Sequence, residues 1–272
     1  MTEFAAVTDP GRRDGVNQDA IGWDTERQLW FVADGMGGHA RGELASRLVK
    51  ETLLAQVPLV GLAAAILKAH EAIRREASQI DGERGMGSTV VCAQIADRAC
   101  QVVWVGDSRA YLWRRRELQR LTRDHSFLEL LRETENLSET ELRNEQGANA
   151  VTQALGMDTP EPSETTQDLR AGDWIILCSD GLPVELRDGE IAQTLASSSN
   201  PEQATRALLA AAIAKGGRDN ISIIIIQYDG GSAMRAVWRL PMFDGRLMEW
   251  LAGLTGVLVA VAIAMLMRRH GH

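Results

Sequence analysis

The stretch Gln101-Val102-Val103-Trp104-Val105-Gly106-Asp107-Ser108-Arg109-Ala110-Tyr111-Leu112-Trp113 decides the fold class. Two apolar runs, 101–105 and 110–113, bracket a short polar turn, and Arg114-Arg115-Arg116-Glu117 supplies the next turn. Strands joined this tightly pair antiparallel, because a parallel crossover needs a dozen or more residues. The triple arginine then reads as a solvated hairpin tip. Further strands are predicted at 29–33, 88–95, 174–178 and 221–228 from their Val, Ile and aromatic content between turn residues. The block Ile223-Ile224-Ile225-Ile226 is apolar on both faces, so that strand must be covered from both sides. Helices are predicted at 43–56, 62–78, 126–134, 138–145, 188–196 and 201–215. Ser138 with Glu141 has capping-box spacing, and Pro201 suits a first helical position. The expected class is α+β, with antiparallel sheets inside and helices outside.

Bulk properties narrow the function. At 272 residues with 45% hydrophobic and 24% charged content, the chain can bury a large core and is not a disordered polymer. A net charge of −8 and a pI near 5.2 argue against general nucleic-acid binding. Cys92, Cys100 and Cys178 each sit in an apolar run and read as buried, reduced thiols. Cys92 and Arg98 have the spacing of a thiol-phosphate loop, but the intervening Ala-Gln-Ile-Ala-Asp lacks the glycines such a loop needs.

The chemistry lies in aspartates at the ends of apolar runs. Asp34 closes Leu29–Ala33, Asp107 follows Val105-Gly106, Asp180 follows Ile175–Ser179, and Asp219 precedes Asn220-Ile221. Asp19 stands ahead of another short apolar segment. Any one Asp-Gly after a strand is ordinary turn chemistry, but several at strand ends can converge. Converging carboxylates repel unless hard divalent cations with oxygen ligands cancel their charge. Asp34 is the candidate bridging ligand, because Gly35-Met36-Gly37-Gly38 lets backbone approach a cation and the Gly35 carbonyl offers another oxygen. Asp180 and Asp219 can complete one metal's shell. Two cations about 3.5–4 Å apart would activate a bridging water to attack phosphorus in line.

In order along the chain, Asn17-Gln18-Asp19-Ala20, Val32–His39, Gly42-Glu43, Ala45-Ser46, Met86–Thr89, Val105–Tyr111, Leu121–Ser126, Val151–Gly156, Cys178–Leu182 and Arg218–Ser222 resemble the PP2C-type (PPM) metal-dependent protein serine/threonine phosphatases, especially bacterial members. The resemblance runs from about residue 8 to 228. It implies a sandwich of two antiparallel β-sheets flanked by helices, with a dinuclear Mn²⁺ or Mg²⁺ site at one end. It further implies that Asp34 bridges the metals, that Gly35 ligates one, and that Asp180 and Asp219 ligate the other. Asp19 resembles the family's acid that hydrogen-bonds metal-bound water, and Asp107 the ligand of a weaker third metal shared with Asp180. Residues 126–149 correspond to a flap beside the active site. Two departures stand out. Gln18 occupies a position where many relatives carry Glu. The phosphate-binding arginine usually lies three residues before the Asn, where Asp14 stands; Arg13 or Arg12 reaches the phosphate by a shifted loop, or the clamp is absent. His39 is a candidate proton donor. The implied activity is hydrolysis of phosphoserine and phosphothreonine in proteins by a metal-bridged hydroxide, opposing a bacterial Ser/Thr kinase. A non-catalytic module of the same fold would not need Asp34, Asp180 and Asp219 together.

After Tyr228 the composition changes. Residues 229–247 read as a linker with a reach of about 25 Å if flexible. Residues 248–267 form an almost uncharged apolar run, with Glu249 at its edge, and 268–272 a basic tail. Such a run is long enough for a membrane span of about 20 residues, with Trp250, Arg268 and Arg269 at the interfaces. The start of the chain has no signal-peptide pattern. The expectation is a phosphatase domain over 1–228, tethered once to the cytoplasmic membrane and facing the cytoplasm.

Overall fold

A computed structural model describes residues 2–12, 15–79, 85–134, 150–157 and 159–230, with the side chains of 39, 130 and 132–134 excepted. Eleven strands among them make two sheets. β1 (Glu3–Asp9), β11 (Ile221–Gln227), β10 (Trp174–Cys178), β7 (Arg109–Arg114) and β8 (Glu117–Arg120) lie in that order in the first sheet. The second runs β2 (Asp19–Asp24), β3 (Leu29–Met36), β5 (Val90–Ala96), β6 (Ala99–Val105), β9 (Ser163–Asp168), with the two-residue β4 (Gly87–Ser88) beside β3. Every pairing is antiparallel. The outer layers are α1 (His39–Val60) and α2 (Leu62–Gln79) on one side. On the other are α4 (Gly181–Glu185), α5 (Asp188–Ala196) and α6 (Pro201–Lys215), while α3 (Phe127–Thr134) follows β8.

Side-chain alternation along the strands builds these layers. Ile224 and Ile226 point between the sheets, where they meet Trp30, Val32, Val91, Trp104, Leu112 and Leu177. Ile223 and Ile225 point outward onto Leu182, Ile191, Leu195 and Leu208 of α4 to α6. The isoleucine block is therefore covered on both faces, as its composition requires. Phe31, Cys92, Val103 and Val105 face outward from the second sheet onto Val49, Leu53, Ile66 and Ile73 of α1 and α2. All three cysteines are buried and free. Arg115 and Arg116 form the β7–β8 turn, with φ of 52° and 66°.

Elements at 174–178, 188–196 and 201–215 match the sequence expectation. The last starts as its sequence dictates, with Asn200 Oδ1 accepting the Gln203 N–H at 2.8 Å and Pro201 at the first helical position. Strands β1, β2, β8 and β9 and helix α4 were not predicted, and α1 begins at His39 rather than 43. The predicted helix at 138–145 lies outside the described residues. So do the 229–247 linker beyond Gly230, the 248–267 run and the basic tail. Among the described residues no helix is long and apolar enough to cross a membrane.

Candidate active site

Both sheets deliver acids to the same end of the sandwich. β2 and β3 pair so that Asp19 stands directly across from Asp34. Asp34 is pinned through its backbone: its carbonyl accepts the Thr89 N–H at 2.8 Å, and its N–H donates to Thr89 Oγ1 at 3.3 Å. Asp180 follows β10 and opens α4. Asp219 precedes β11, where its Oδ1 accepts the N–H of Asn220 at 2.9 Å. Asp107 occupies the β6–β7 turn, and Gly106 before it has φ 105° with Thr89 so close that a Cβ would sit 2.6 Å from the threonine side chain. Only glycine makes that turn without pushing Thr89 off Asp34.

Asp34, Gly35, Asp107, Asp180 and Asp219 line one cavity of about 420 Å³, with Gln18, Thr89 and Asn220 in its wall and Val16, Met36 and Val151 giving apolar lining. Gly35 is held against Gly42 of α1; a Cβ on Gly35 would meet the Gly42 carbonyl oxygen at 1.9 Å. Arg13 lies outside the described residues, as does the His39 side chain. Among the described residues no lysine or arginine lines the cavity. The Arg12 backbone N–H donates to the Gly217 carbonyl at 2.6 Å. Of the 126–149 segment expected as a flap, the structure describes only 126–134, which carry α3; residues 135–149 lie outside the described residues.

The electrostatics follow from crowding like charges in a poorly hydrated place. Burial, then the neighbouring charges of Asp180 and Asp124, pushes Asp107 up to about 7. Asp19 is likewise raised to about 7, chiefly by burial, although the neighbouring hydroxyls of Ser222 and Ser179 oppose the shift. Asp180 rises to about 6, through burial and the charge of Asp219. Asp34 is raised furthest, by burial and then the charges of Asp19, Asp180 and Asp107. Asp34 keeps some exposed surface only because it faces the cavity; protein encloses it elsewhere. Its carboxyl neighbours that of Asp180, and each acts on the other's hold on its proton. Two carboxylates approach so closely only with a proton or a cation between them.

These acids fit divalent cations. Among the described residues no group of three or more His, Cys, Asp or Glu is gathered to wrap a bare ion. Ions such as Mg²⁺ do not need one: they keep several waters and take one or two carboxylates. The buried oxygens Asp19 Oδ1 and Asp180 Oδ1 have no protein hydrogen-bond partner, as expected of atoms meant to face hydrated cations.

Several participants carried no signal of their own in the sequence. Asn220 accepts the Gln18 N–H at 2.8 Å and donates to the Pro10 carbonyl at 3.0 Å, tying the N-terminal segment to the start of β11. Arg109 grips Asp124 with two of its nitrogens at 2.7–3.1 Å and reaches Tyr111 Oη at 3.3 Å, bracing the turn that carries Asp107. The quoted motifs contain these residues, but only the fold shows their contacts.

The comparisons agree with this geometry. The sequence profile described as Protein phosphatase 2C matches residues 11–215. The chain is 33% identical over 241 residues to the serine/threonine protein phosphatase PstP of Mycobacterium tuberculosis, covering 85% of this chain but only 46% of that protein. It is 31% identical to the serine/threonine phosphatase stp of Listeria monocytogenes over 82% of this chain and 94% of the relative. Its fold is similar to the crystal structure of M. tuberculosis PstP with a TM-score of 0.77 and 31% identity, covering 84% and 99% of the two chains. The PstP catalytic domain in complex with two manganese ions gives a TM-score of 0.75 at 31% identity, covering 83% and 97%. The chain thus spans about half the length of the first of these curated relatives, 46%. With the profile match extending from residue 11 to 215, the chain belongs to the protein phosphatase 2C family, and the relatives it resembles are bacterial serine/threonine phosphatases.

Proposed function

We propose that the chain hydrolyses phosphoserine and phosphothreonine esters in proteins, using two Mn²⁺ or Mg²⁺ ions and a weaker third. The observation that carries the reading is the convergence of four aspartates on one cavity with no cationic side chain among its described lining residues. A phosphate dianion is repelled by such a surface until cations intervene. When bound, the ions supply an activated water and neutralise the phosphate oxygens.

The protein's own part is positioning. Asp34, standing between the other acids, would hold both ions, with the Gly35 carbonyl as a further donor. Asp180 and Asp219 would also hold metal, and Asp107 with Asp180 would supply the weaker third position. Asp19 Oδ1, free of protein partners, would accept a hydrogen bond from the attacking solvent. Arg13 is proposed to clamp the phosphate from the rim. Val16 and Val151 shield the cavity from bulk water.

Residues 1–228 act as the phosphatase domain, with 229–247 as linker and 248–267 as a single membrane span that keeps the domain on the cytoplasmic face. Phosphoproteins at the bilayer are then the substrates, and a bacterial Ser/Thr kinase is the opposing enzyme. The test is Mn²⁺-dependent release of phosphate from phosphoserine and phosphothreonine peptides. Turnover unchanged by strict chelation, or by Asp34→Asn, would refute the reading.

A further inference from the structure

Asp19 is held by a closed ring of hydrogen bonds that joins the two sheets. Its N–H donates to Asn17 Oδ1 at 3.0 Å, and Asn17 Nδ2 donates to Thr8 Oγ1 at 2.8 Å. Ser222 Oγ also donates to Thr8 Oγ1 at 2.8 Å, while the Ser222 N–H donates to Ser179 Oγ at 3.0 Å. Ser179 Oγ closes the ring by donating to Asp19 Oδ2 at 2.8 Å. Thr8 (β1), Ser222 (β11) and Ser179, which follows β10, belong to the first sheet, whereas Asp19 opens β2 of the second. Ser179 and Ser222 have no exposed surface, so no water competes for the bonds of Ser179 to Asp19 and to the Ser222 N–H, whereas Thr8 is exposed.

The Ser222 N–H, which can only donate, takes one lone pair of the Ser179 hydroxyl. Of the two acceptors within reach of the hydroxyl hydrogen, Asp19 Oδ2 at 2.8 Å is much nearer than the Asn220 carbonyl at 3.5 Å. One oxygen of Asp19 is thereby fixed and the other, Oδ1, is left without a protein partner. The same residue sets the distance between Asp19 and Asp34 on one sheet and Asp180, its own chain neighbour, on the other.

We infer that Ser179 is a positioning residue: it acts through Asp19, fixing the carboxylate that stands across from Asp34 behind the cavity wall and holding the two acid-bearing sheets in register. The inference rests on the phosphatase reading and treats Asp19 as the group that touches the hydrated ions. Partners of this kind, one bond removed from the ions, typically matter by about 10–100-fold in metal affinity or activity.

The experiment is a double-mutant cycle of Ser179→Ala and Asp19→Asn in the full-length protein. It has two readouts: Mn²⁺ binding by calorimetry, and kcat and KM on a phosphothreonine peptide. In the otherwise unaltered protein, Ser179→Ala is expected to weaken Mn²⁺ binding and lower kcat by about 10–100-fold, leaving KM unchanged. In the Asp19→Asn background the same substitution should change neither by more than about twofold, because residues acting as one unit are not additive. Equal losses in both backgrounds, or none in either, overturn the inference. A wild-type protein that binds Mn²⁺ without turnover refutes the phosphatase reading, while the binding cycle still decides the role of Ser179. A wild type that binds no Mn²⁺ sinks both. If Ser179→Ala melts before assay temperature, Ser179→Cys, similar in volume but a weaker donor, goes through the same cycle with the same outcomes.

Discussion

Without divalent cations the protein should become less stable as pH rises towards neutrality, and the cations should reverse this. Asp107 rises from an ordinary 3.8 to about 7, Asp19 to about 7 and Asp180 to about 6. A carboxyl raised on folding holds its proton in the native state after the unfolded chain has lost it. Its stabilisation is complete below the unfolded value near 4 and is lost as pH climbs through 6 to 7. A shift of about three pH units at about 1.36 kcal/mol each is worth roughly 4 kcal/mol for one such group. The acids repel one another, so protons leave the cluster in shared steps. A single proton released between pH 5 and 7 already costs about 3 kcal/mol. His70 and His125 work the other way: burial lowers both, so they add stability as pH rises. They do so equally with and without metal. Asp24 and Glu185, held low by Arg27 and Arg218 respectively, titrate below this window. The assay is urea unfolding at pH 5, 6 and 7, with chelator and with excess Mn²⁺. The difference in stability between the two arms should grow by about 3 kcal/mol or more across the series, a midpoint shift on the order of 1 M urea. A difference that stays flat or shrinks with pH would refute the account of the cluster.

Other outcomes follow from the same structure. Asp34→Asn should lower Mn²⁺-dependent turnover by at least about 100-fold. Arg109→Met removes the two-nitrogen clamp and leaves the buried Asp124 carboxylate with Arg120 as its remaining ion-pair partner, and should cost about 1.5–3 kcal/mol by chemical denaturation. Ile224→Ala, between the sheets, should cost about 2–5 kcal/mol with Mn²⁺ affinity preserved. The full-length protein should sediment with membranes and resist carbonate extraction, whereas a chain ending at Tyr228 should stay in the supernatant.

The acids were legible because each stands where an apolar strand ends, a pattern local enough to see in a few residues. Ile223–Ile226 likewise announced a strand covered on both sides. β9, Ser-Glu-Thr-Thr-Gln-Asp, alternates half-buried and exposed at a sheet edge and carries no apolar signal. β8 is the edge of the other sheet and equally polar. The start of α1 was misplaced because Gly42 looks like a helix breaker. Its missing side chain is instead what allows the helix to approach Gln18 and Gly35. Ser179 and Asn220 stayed invisible for a different reason. Their partners lie 160 and 202 residues away in sequence, so no local pattern encodes them.

The pairing of β1 with β11 along its whole length has a consequence for biosynthesis. β1 is made more than two hundred residues before the β11 it pairs with, so it is already waiting when that strand emerges. Without β1, Ile-Ser-Ile-Ile-Ile-Ile-Gln would leave an open sheet edge of the kind that recruits stray strands into fibrils. The opening residues thus serve as a seal on the most aggregation-prone segment of the chain. Trimming them should leave a protein that precipitates rather than one that is merely less active.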